Sequence, residues 1–196
     1  MSESILKQAA QSFSTSFSTA PHSETVVQAL LEAEKNARKS KIHYSFEQLM
    51  GTWRLCFITG TKKTRDKAGV VLGAGRYIPK LIKIQITYSI STQKPPFDMG
   101  LVENCVGLGG FKLTVSGLTK FLPEKNILAF DFTRISVQFL KAALYQGFIR
   151  GGEKKEQEFY QEPIGNQAFF VYFIVQDDII AARGKGGGLA LWVRQE

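Results

Sequence analysis

The amino-acid sequence predicts a mainly β protein, in which antiparallel strands close into a barrel behind one or two N-terminal α-helices. Apolar residues recur at helical spacing in the first quarter of the chain and at every second position in later segments. No helical pattern separates the later segments, so the βαβ units of a parallel sheet are absent. The chain of 196 residues fits one domain, and its 44% hydrophobic and 21% charged residues are ordinary for a globular protein.

Two helices are predicted before the strands. Residues 1–23 form an N-terminal segment with a weak helix that we expect to be partly flexible, because serine and threonine lower its helix propensity. A stronger helix is predicted over 24–40, where Val26 and Leu30 begin an apolar stripe and basic residues favour the C-terminal end. Residues 24–196 are assigned to a single barrel domain that includes this helix.

The strand prediction depends on alternation with a period of two. Residues 82–90 carry apolar or aromatic side chains at every even position and polar ones at every odd position, and 111–116 alternate in the same way. Residues 127–139 change phase near Thr133, which indicates a bulge or a sharp corner. About eight or nine long strands with aromatic inner faces favour a barrel over a sandwich. Further strands are predicted at 53–59, 101–108, 144–150, 168–176 and 188–194.

The inward side chains of these strands predict a ligand-binding interior. An apolar and aromatic wall with a few polar groups is typical of a lipid pocket. The alternative is that large side chains fill a small barrel, which would then act as a scaffold. The predicted interior residues are Trp53, Leu55, Phe57, Ile84, Ile86, Tyr88, Phe111, Leu113, Phe130 and Phe132.

The net charge of +8 is concentrated in residues 60–80, which hold six basic residues and one acidic residue. We predict that part of this segment docks onto an anionic membrane surface; a plain solvated loop is the alternative. Nucleic acid is not expected as a partner, because the aromatic residues lie on the buried strand faces and are not interleaved with the basic ones. The predicted docking residues are Lys62, Lys63, Arg65 and Lys67.

Catalytic and metal-binding patterns are missing from the sequence. The two histidines, His22 and His43, precede the strands, and no hydrolase elbow, His-Glu-x-x-His or Cys-x-x-Cys motif occurs. Cys56 and Cys105 are interpreted as small hydrophobic residues. The charged run 153–158 is interpreted as a solvated hairpin tip. We therefore expect no enzymatic activity, metal or cofactor.

Two stretches resemble a known family. Residues 49–55, Leu-Met-Gly-Thr-Trp-Arg-Leu, are similar to the opening motif of the plastid lipid-associated proteins, also called fibrillins or plastoglobulins, and residues 176–189 are similar to their closing Arg-Gly and glycine-rich signature. Similarity at 102–106 and 134–139 lies between them. The chain departs from the family at Gln176 and Ile180, where the family usually has Asp and Arg.

The resemblance implies a lipocalin-like barrel that binds or sequesters apolar isoprenoid or acyl lipids, such as a quinone, tocopherol or carotenoid, without catalysis. It implies peripheral attachment to the cytoplasmic side of thylakoid membranes in a cyanobacterial-type member, or to plastid thylakoids or plastoglobules in a plant homologue, and a photosynthetic or isoprenoid-synthesis protein as a further partner. One alternative is a phycobiliprotein chromophore lyase, in which Arg76 and Lys80 would meet the bilin propionates. The other is a filled scaffold barrel on photosynthetic membranes.

A closed barrel also predicts a contact between the chain ends. Trp53 begins the first predicted strand, and first and last strands of a barrel are neighbours. We therefore expect Arg183 to lie on the Trp53 indole, with Arg194 as the second candidate. With the adjacent Gly51 and Gly184, these residues are assigned a structural role in barrel closure.

Overall fold

The computed structural model of the chain describes residues 2–14, 19–60, 75–90 and 98–195. Two short 3₁₀ turns, at Pro123–Lys125 and Ile164–Asn166, accompany the regular elements. The helices are α1 (Ser2–Ser14), α2 (Ser23–Ser40), α3 (Phe46–Leu49) and α4 (Gly152–Glu158). The strands are β1 (Gly51–Thr59), β2 (Gly75–Tyr77), β3 (Lys83–Ile90), β4 (Asp98–Leu108), β5 (Phe111–Leu122), β6 (Ile127–Phe130), β7 (Arg134–Phe139), β8 (Ala142–Phe148), β9 (Ala168–Val175), β10 (Ile179–Gly184) and β11 (Leu189–Gln195).

Eight of these strands close into an antiparallel barrel. Their order is β4-β3-β1-β11-β10-β9-β6-β5, and β5 pairs back onto β4. The short strand β2 pairs with β1, β7 pairs with β5, and β8 pairs with β7. The predicted mainly β, antiparallel barrel fold is confirmed.

The two long helices cover one outer side of the barrel. The apolar stripe of α2 buries Val26 and Leu30, and α2 contacts β2 and β9. The α1 helix buries Leu6 and Phe13 and contacts α2, β1 and β11. Helix α2 therefore confirms the prediction over 24–40, and α1 is stabilised by packing that its weak helix propensity did not predict.

The β5 strand is longer than the barrel, and this creates a sheet outside it. Its second half pairs with β6, whereas Phe111–Ser116 pairs with β7. We call the sheet formed by 103–116 and 134–148 the extension. Phe111 is 57% exposed and Leu113 is 40% exposed on the extension. The prediction that these two side chains line the barrel interior is therefore wrong, because the alternating pattern continues past the end of the barrel.

Two local predictions need correction. Residues 127–139 form two strands, β6 and β7, which pair with different halves of β5 and are separated at Asp131–Thr133. The charged run 153–158 belongs to helix α4, where Glu156 bonds to Arg134 with an Nε–Oε1 distance of 2.8 Å.

Candidate functional site

The centre of the barrel is occupied by two tyrosines from opposite sides. Tyr88 on β3 and Tyr172 on β9 are both almost fully buried, and their hydroxyl oxygens lie 2.7 Å apart. Burial raises the pKa of both phenols above the ordinary value. Both therefore stay protonated at neutral pH, and their chemistry here is a hydrogen bond across the barrel.

Further aromatic rings continue from this pair towards both ends of the barrel. Phe46 of α3 packs edge-on against Tyr88, with ring centroids 6.4 Å apart. Trp192 contacts Tyr172, with centroids 6.5 Å apart. These contacts fill the interior at the level of the tyrosines, as the filled-barrel alternative expects. The other rings in this series are Phe121, Phe130, Phe132 and Phe170.

The structure divides nine of the ten predicted interior residues into three groups. Ile84 and Phe132 are half-buried, and both pack against the core. Phe111 and Leu113 lie on the extension, as described above. Trp53, Leu55, Ile86, Tyr88 and Phe130 are buried in the core of the barrel domain.

Phe57 lies on the helix side of the sheet, which corrects its predicted inward position. The pairing of β1 with β11 shifts register between Leu55 and Phe57, so a β-bulge changes the face that later residues occupy. Phe57 packs edge-on against Tyr77 of β2, with ring centroids 5.1 Å apart. A Cβ built on Gly75 would meet both Phe57 and Val27 of α2, which locates the ring between strand and helix.

Arg194, the second candidate, is the arginine that contacts Trp53 where the barrel closes. β1 pairs with β11, so the first and last strands are neighbours as predicted. The Arg194 guanidinium carbon lies 4.1 Å from the Trp53 ring centroid, and its Nη1 donates to the Met50 carbonyl at 3.1 Å. Gly51 has φ +112°, and Arg194 lies where its Cβ would project. The prediction of Arg183 as the partner of Trp53 is wrong.

Arg183 faces the outer side of the barrel and binds helix α2. Its Nε donates to Glu34 Oε1 at 2.7 Å, and the Glu34 side chain is nearly buried. Arg38 donates to the same carboxylate at 2.9 Å. Hydrogen bonds from Arg183 hold the pKa of the Glu34 carboxyl below its ordinary value. The pair therefore joins α2 to β10, and Gly184 ends that strand beside Phe170.

This pair predicts a pH-dependent contribution to stability. The folded pKa of Glu34 is depressed, so its stabilisation is present at neutral pH and is lost as pH falls through the folded pKa. Glu34→Gln should lower the free energy of unfolding at pH 7 by about 1.5–3 kcal/mol, the range for charged hydrogen bonds. In urea denaturation, the difference in free energy of unfolding between wild type and Glu34→Gln should shrink below about pH 4. The exposed Glu32→Gln change on the same helix should stay within about 0.5 kcal/mol of wild type; equal effects would contradict the assignment.

The basic residues predicted to dock onto membranes, Lys62, Lys63, Arg65 and Lys67, lie outside the described residues. Of the residues suggested for bilin contacts, Arg76 lies on β2 and Lys80 in the turn before β3. Ile180, where the resembled family has Arg, is fully buried in the core. The side chain of Gln176 contacts Glu3 of α1.

The end of the extension presents large apolar side chains to solvent. Two hairpin loops, Gly109–Gly110 and Leu140–Lys141, lie side by side, joined by a hydrogen bond of 2.9 Å from Leu140 N to Gly110 O. Leu140 is 72% exposed. We call this end the tip; its other exposed or partly exposed apolar side chains are Leu108, Phe111 and Phe139.

The Leu140–Lys141 loop has a backbone that these residues disfavour. Phe139 pairs with Ala142, so the loop has two residues, and both have positive φ, +46° for Leu140 and +72° for Lys141. Such turns favour Asn-Gly, because left-handed φ costs a side-chain-bearing residue roughly 1–2 kcal/mol. The backbone preference of the loop therefore does not account for leucine and lysine at these positions.

Lysines surround a groove next to the tip. Lys83, Lys112 and Lys141 line a groove of about 340 Å³ on the polar side of the extension. None of the described residues that line it is acidic. Two strands and one loop that are distant in sequence thus bring three positive charges to one groove beside an apolar end. The sequence alone does not indicate this groove, because Lys83, Lys112 and Lys141 lie far apart along the chain and form no basic cluster there.

The architecture defines the class of protein as a closed, lipocalin-like β-barrel. In the described ranges, no three potential metal-ligating side chains come together, and none of the helices is long and apolar enough to cross a bilayer. In comparisons with known proteins, no protein-family model and no curated protein matches the chain.

Proposed function

We propose that this protein binds lipids at an anionic membrane surface, without catalysis, and that the tip makes the membrane contact. The observation that carries the proposal is the exposed Leu140–Lys141 loop, whose positive φ angles are disfavoured for leucine and lysine. Local sequence rules are violated in this way mainly at functional sites.

The chemistry of the tip suits the boundary between lipid headgroups and acyl chains. Leu108, Phe111 and Leu140 are more than half exposed and would enter the acyl region, where burial of apolar area is favourable at about 25 cal/mol per Å². The lysines of the neighbouring groove would remain at the anionic headgroups, each contributing about 1 kcal/mol. Apolar and basic side chains placed together are typical of proteins that lie on a membrane.

The resemblance to plastid lipid-associated proteins supports the same class of function. It suggests a quinone, tocopherol, carotenoid or acyl lipid as the bound molecule and a thylakoid or lipid body as the membrane. The aromatic contacts inside the barrel favour contact with such lipids at the tip over uptake into a preformed lumen, since an internal ligand would have to displace the Tyr88–Tyr172 hydrogen bond.

A double substitution tests the proposal by separating folding from membrane binding. Leu140→Asn with Lys141→Gly gives the loop the residues that its backbone favours, so the free energy of unfolding should rise by about 1 kcal/mol. Loss of one leucine and one lysine should weaken binding to mixed phosphatidylcholine–phosphatidylglycerol vesicles about tenfold to a hundredfold. Flotation measures the binding, and thermal or urea denaturation measures the stability.

The matched control is Leu31→Gln, which removes an exposed leucine from α2, away from the tip. It should bind the mixed vesicles as wild type does. Binding of wild type should also fall with added salt and in pure phosphatidylcholine vesicles. If the double variant floats as wild type does while its stability rises, the tip is not the membrane contact. A covalent adduct formed with a bilin and an apo-phycobiliprotein would instead support the lyase alternative.

A further inference from the structure

The outer strand of the extension, β8, has an edge without a described partner. In the described part of the chain, β8 pairs with β7 alone, and β7 lies between β8 and β5. The backbone groups on its other side can therefore pair with another strand. An edge of this kind is a template for strand addition, and proteins usually protect it with lysine, proline or inward charges.

Apart from a β-bulge at Leu144, which is itself a feature that protects edges, the sequence of β8 lacks this protection. Ala-Ala-Leu-Tyr-Gln-Gly-Phe, residues 142–148, contains no charged residue and no proline. Leu144, Tyr145 and Phe148 are each more than half exposed. A register shift between Val137 and Gln138 indicates a bulge at Leu144, so residues 145–148 are the regularly paired part of the strand. An uncharged, aromatic strand of this kind on an exposed edge is predicted to associate.

We infer that two copies of this chain associate through antiparallel pairing of their β8 strands about a twofold axis. The charge distribution favours a second copy, because a chain of net charge +8 can approach itself only where its surface is locally neutral. An antiparallel strand is complementary to itself under twofold symmetry, since a residue i that contacts residue j of the partner copy has residue j of its own copy in contact with residue i of the partner.

Pairing would also join equivalent faces of the two extensions. Residues directly opposite one another in a sheet share a face. Tyr145 lies opposite Val137, which lies opposite Leu113, so all three occupy the apolar face. A twofold axis perpendicular to the sheet keeps the two apolar faces on the same side. The dimer thus presents one apolar surface of twice the area, although its formation needs no lipid and does not depend on the proposed membrane function.

Sedimentation velocity of the full chain without lipid tests the inference. Wild type should pass from monomer to dimer with rising concentration, with a Kd of about micromolar, because the paired area is small. Added salt should strengthen the dimer by screening the repulsion between two positive chains. Membrane binding has the opposite salt dependence, so failure of one proposal is distinguishable from failure of the other.

A lysine substitution supplies the specific control. Gln146→Lys puts a charge on the regularly paired part of the edge and should weaken the dimer at least tenfold, with unchanged circular dichroism. Leu101→Lys places the same charge at an exposed leucine on β4, which is paired on both sides, and should leave the dimer as strong as wild type. Monomer at every concentration, or equal effects of the two lysines, would overturn the inference.

A disulfide trap gives a second measurement that tolerates weak association. In a Cys105→Ser background, Gln146→Cys would bring two thiols together near the twofold axis, and opposite residues of antiparallel strands have Cα distances that a disulfide can span. Burial raises the pKa of Cys56 to about 12, so its thiol should not compete. Mild oxidation should give a reducible dimer with Gln146→Cys. An equal yield from Ser89→Cys, exposed on β3, would contradict pairing at β8.

Discussion

Replacing Trp53 by alanine should lower the free energy of unfolding by about 3–5 kcal/mol, the largest loss expected from truncating a single side chain here. The Trp53 side chain is 0% exposed and lies where the first and last strands of the barrel meet. Its indole N–H donates to the Leu49 carbonyl at 2.7 Å, and the Arg194 guanidinium stacks over the ring. Truncation removes apolar burial, a hydrogen bond and a cation–π contact at once.

Urea denaturation measures the loss of stability. A double-mutant cycle measures how much of that loss comes from the cation–π contact with Arg194. Trp53→Ala combined with Arg194→Gln should show a coupling energy of about 0.5–2 kcal/mol. The same cycle with Arg183→Gln should show none, because Arg183 bonds Glu34 on α2. A midpoint shift of Trp53→Ala that cannot be distinguished from wild type would count decisively against its closure role.

The barrel could be predicted because alternation of polar and apolar residues is a local property. Residues 82–90 alternate without interruption and form β3 almost over that range. The helix over 24–40 has the same basis, since an apolar stripe with suitable charges at both ends predicts an amphipathic helix wherever its partner lies.

The end of the barrel could not be predicted from the same alternation. Residues 111–116 alternate as regularly as residues 82–90, yet they form part of the extension, whereas residues 119–122 pair with β6 and enclose the core. Which part is buried depends on the pairing with β6 or β7, contacts that are not encoded locally. The prediction that Phe57 faces the barrel interior is wrong for a similar reason. One additional residue in β1 moves Phe57 to the outer face of the sheet, and the composition of the strand gives no sign of it.

The tip was harder to predict, because its loop residues are not those that a two-residue hairpin loop with positive φ angles prefers. Asn-Gly would have indicated a two-residue hairpin loop, whereas Leu140–Lys141, between β7 and β8, carries no turn signal. The lysine groove beside it depends on β3, β5 and this loop meeting at one end of the extension. Neither feature is visible until strand order is known.

Replacing Gly117 by alanine should lower the free energy of unfolding by about 3–4 kcal/mol, although it adds only one methyl group. A Cβ at this position would lie 1.8 Å from the Asp131 carbonyl oxygen, which belongs to the backbone and cannot rotate away. Hydrogen bonds from Asp131 N to Leu118 O and from Thr133 N to Ser116 O, at 3.3 and 3.0 Å, hold the two segments together. Relief of the clash would break these bonds.

The matched control for this change is Gly165→Ala, since Gly165 has no heavy atom within 4 Å of an added Cβ. That variant should be neutral or more stable than wild type by up to about 1 kcal/mol, because alanine restricts the unfolded chain. Denaturation of both variants by urea separates a steric effect from a general effect of glycine replacement. Because Gly117 lies where β5 changes partner, its substitution should also loosen β7 and β8, detectable as faster hydrogen exchange there than in β9–β11. Equal stability of the two alanine variants would show that the Asp131–Thr133 segment does not lie against Gly117.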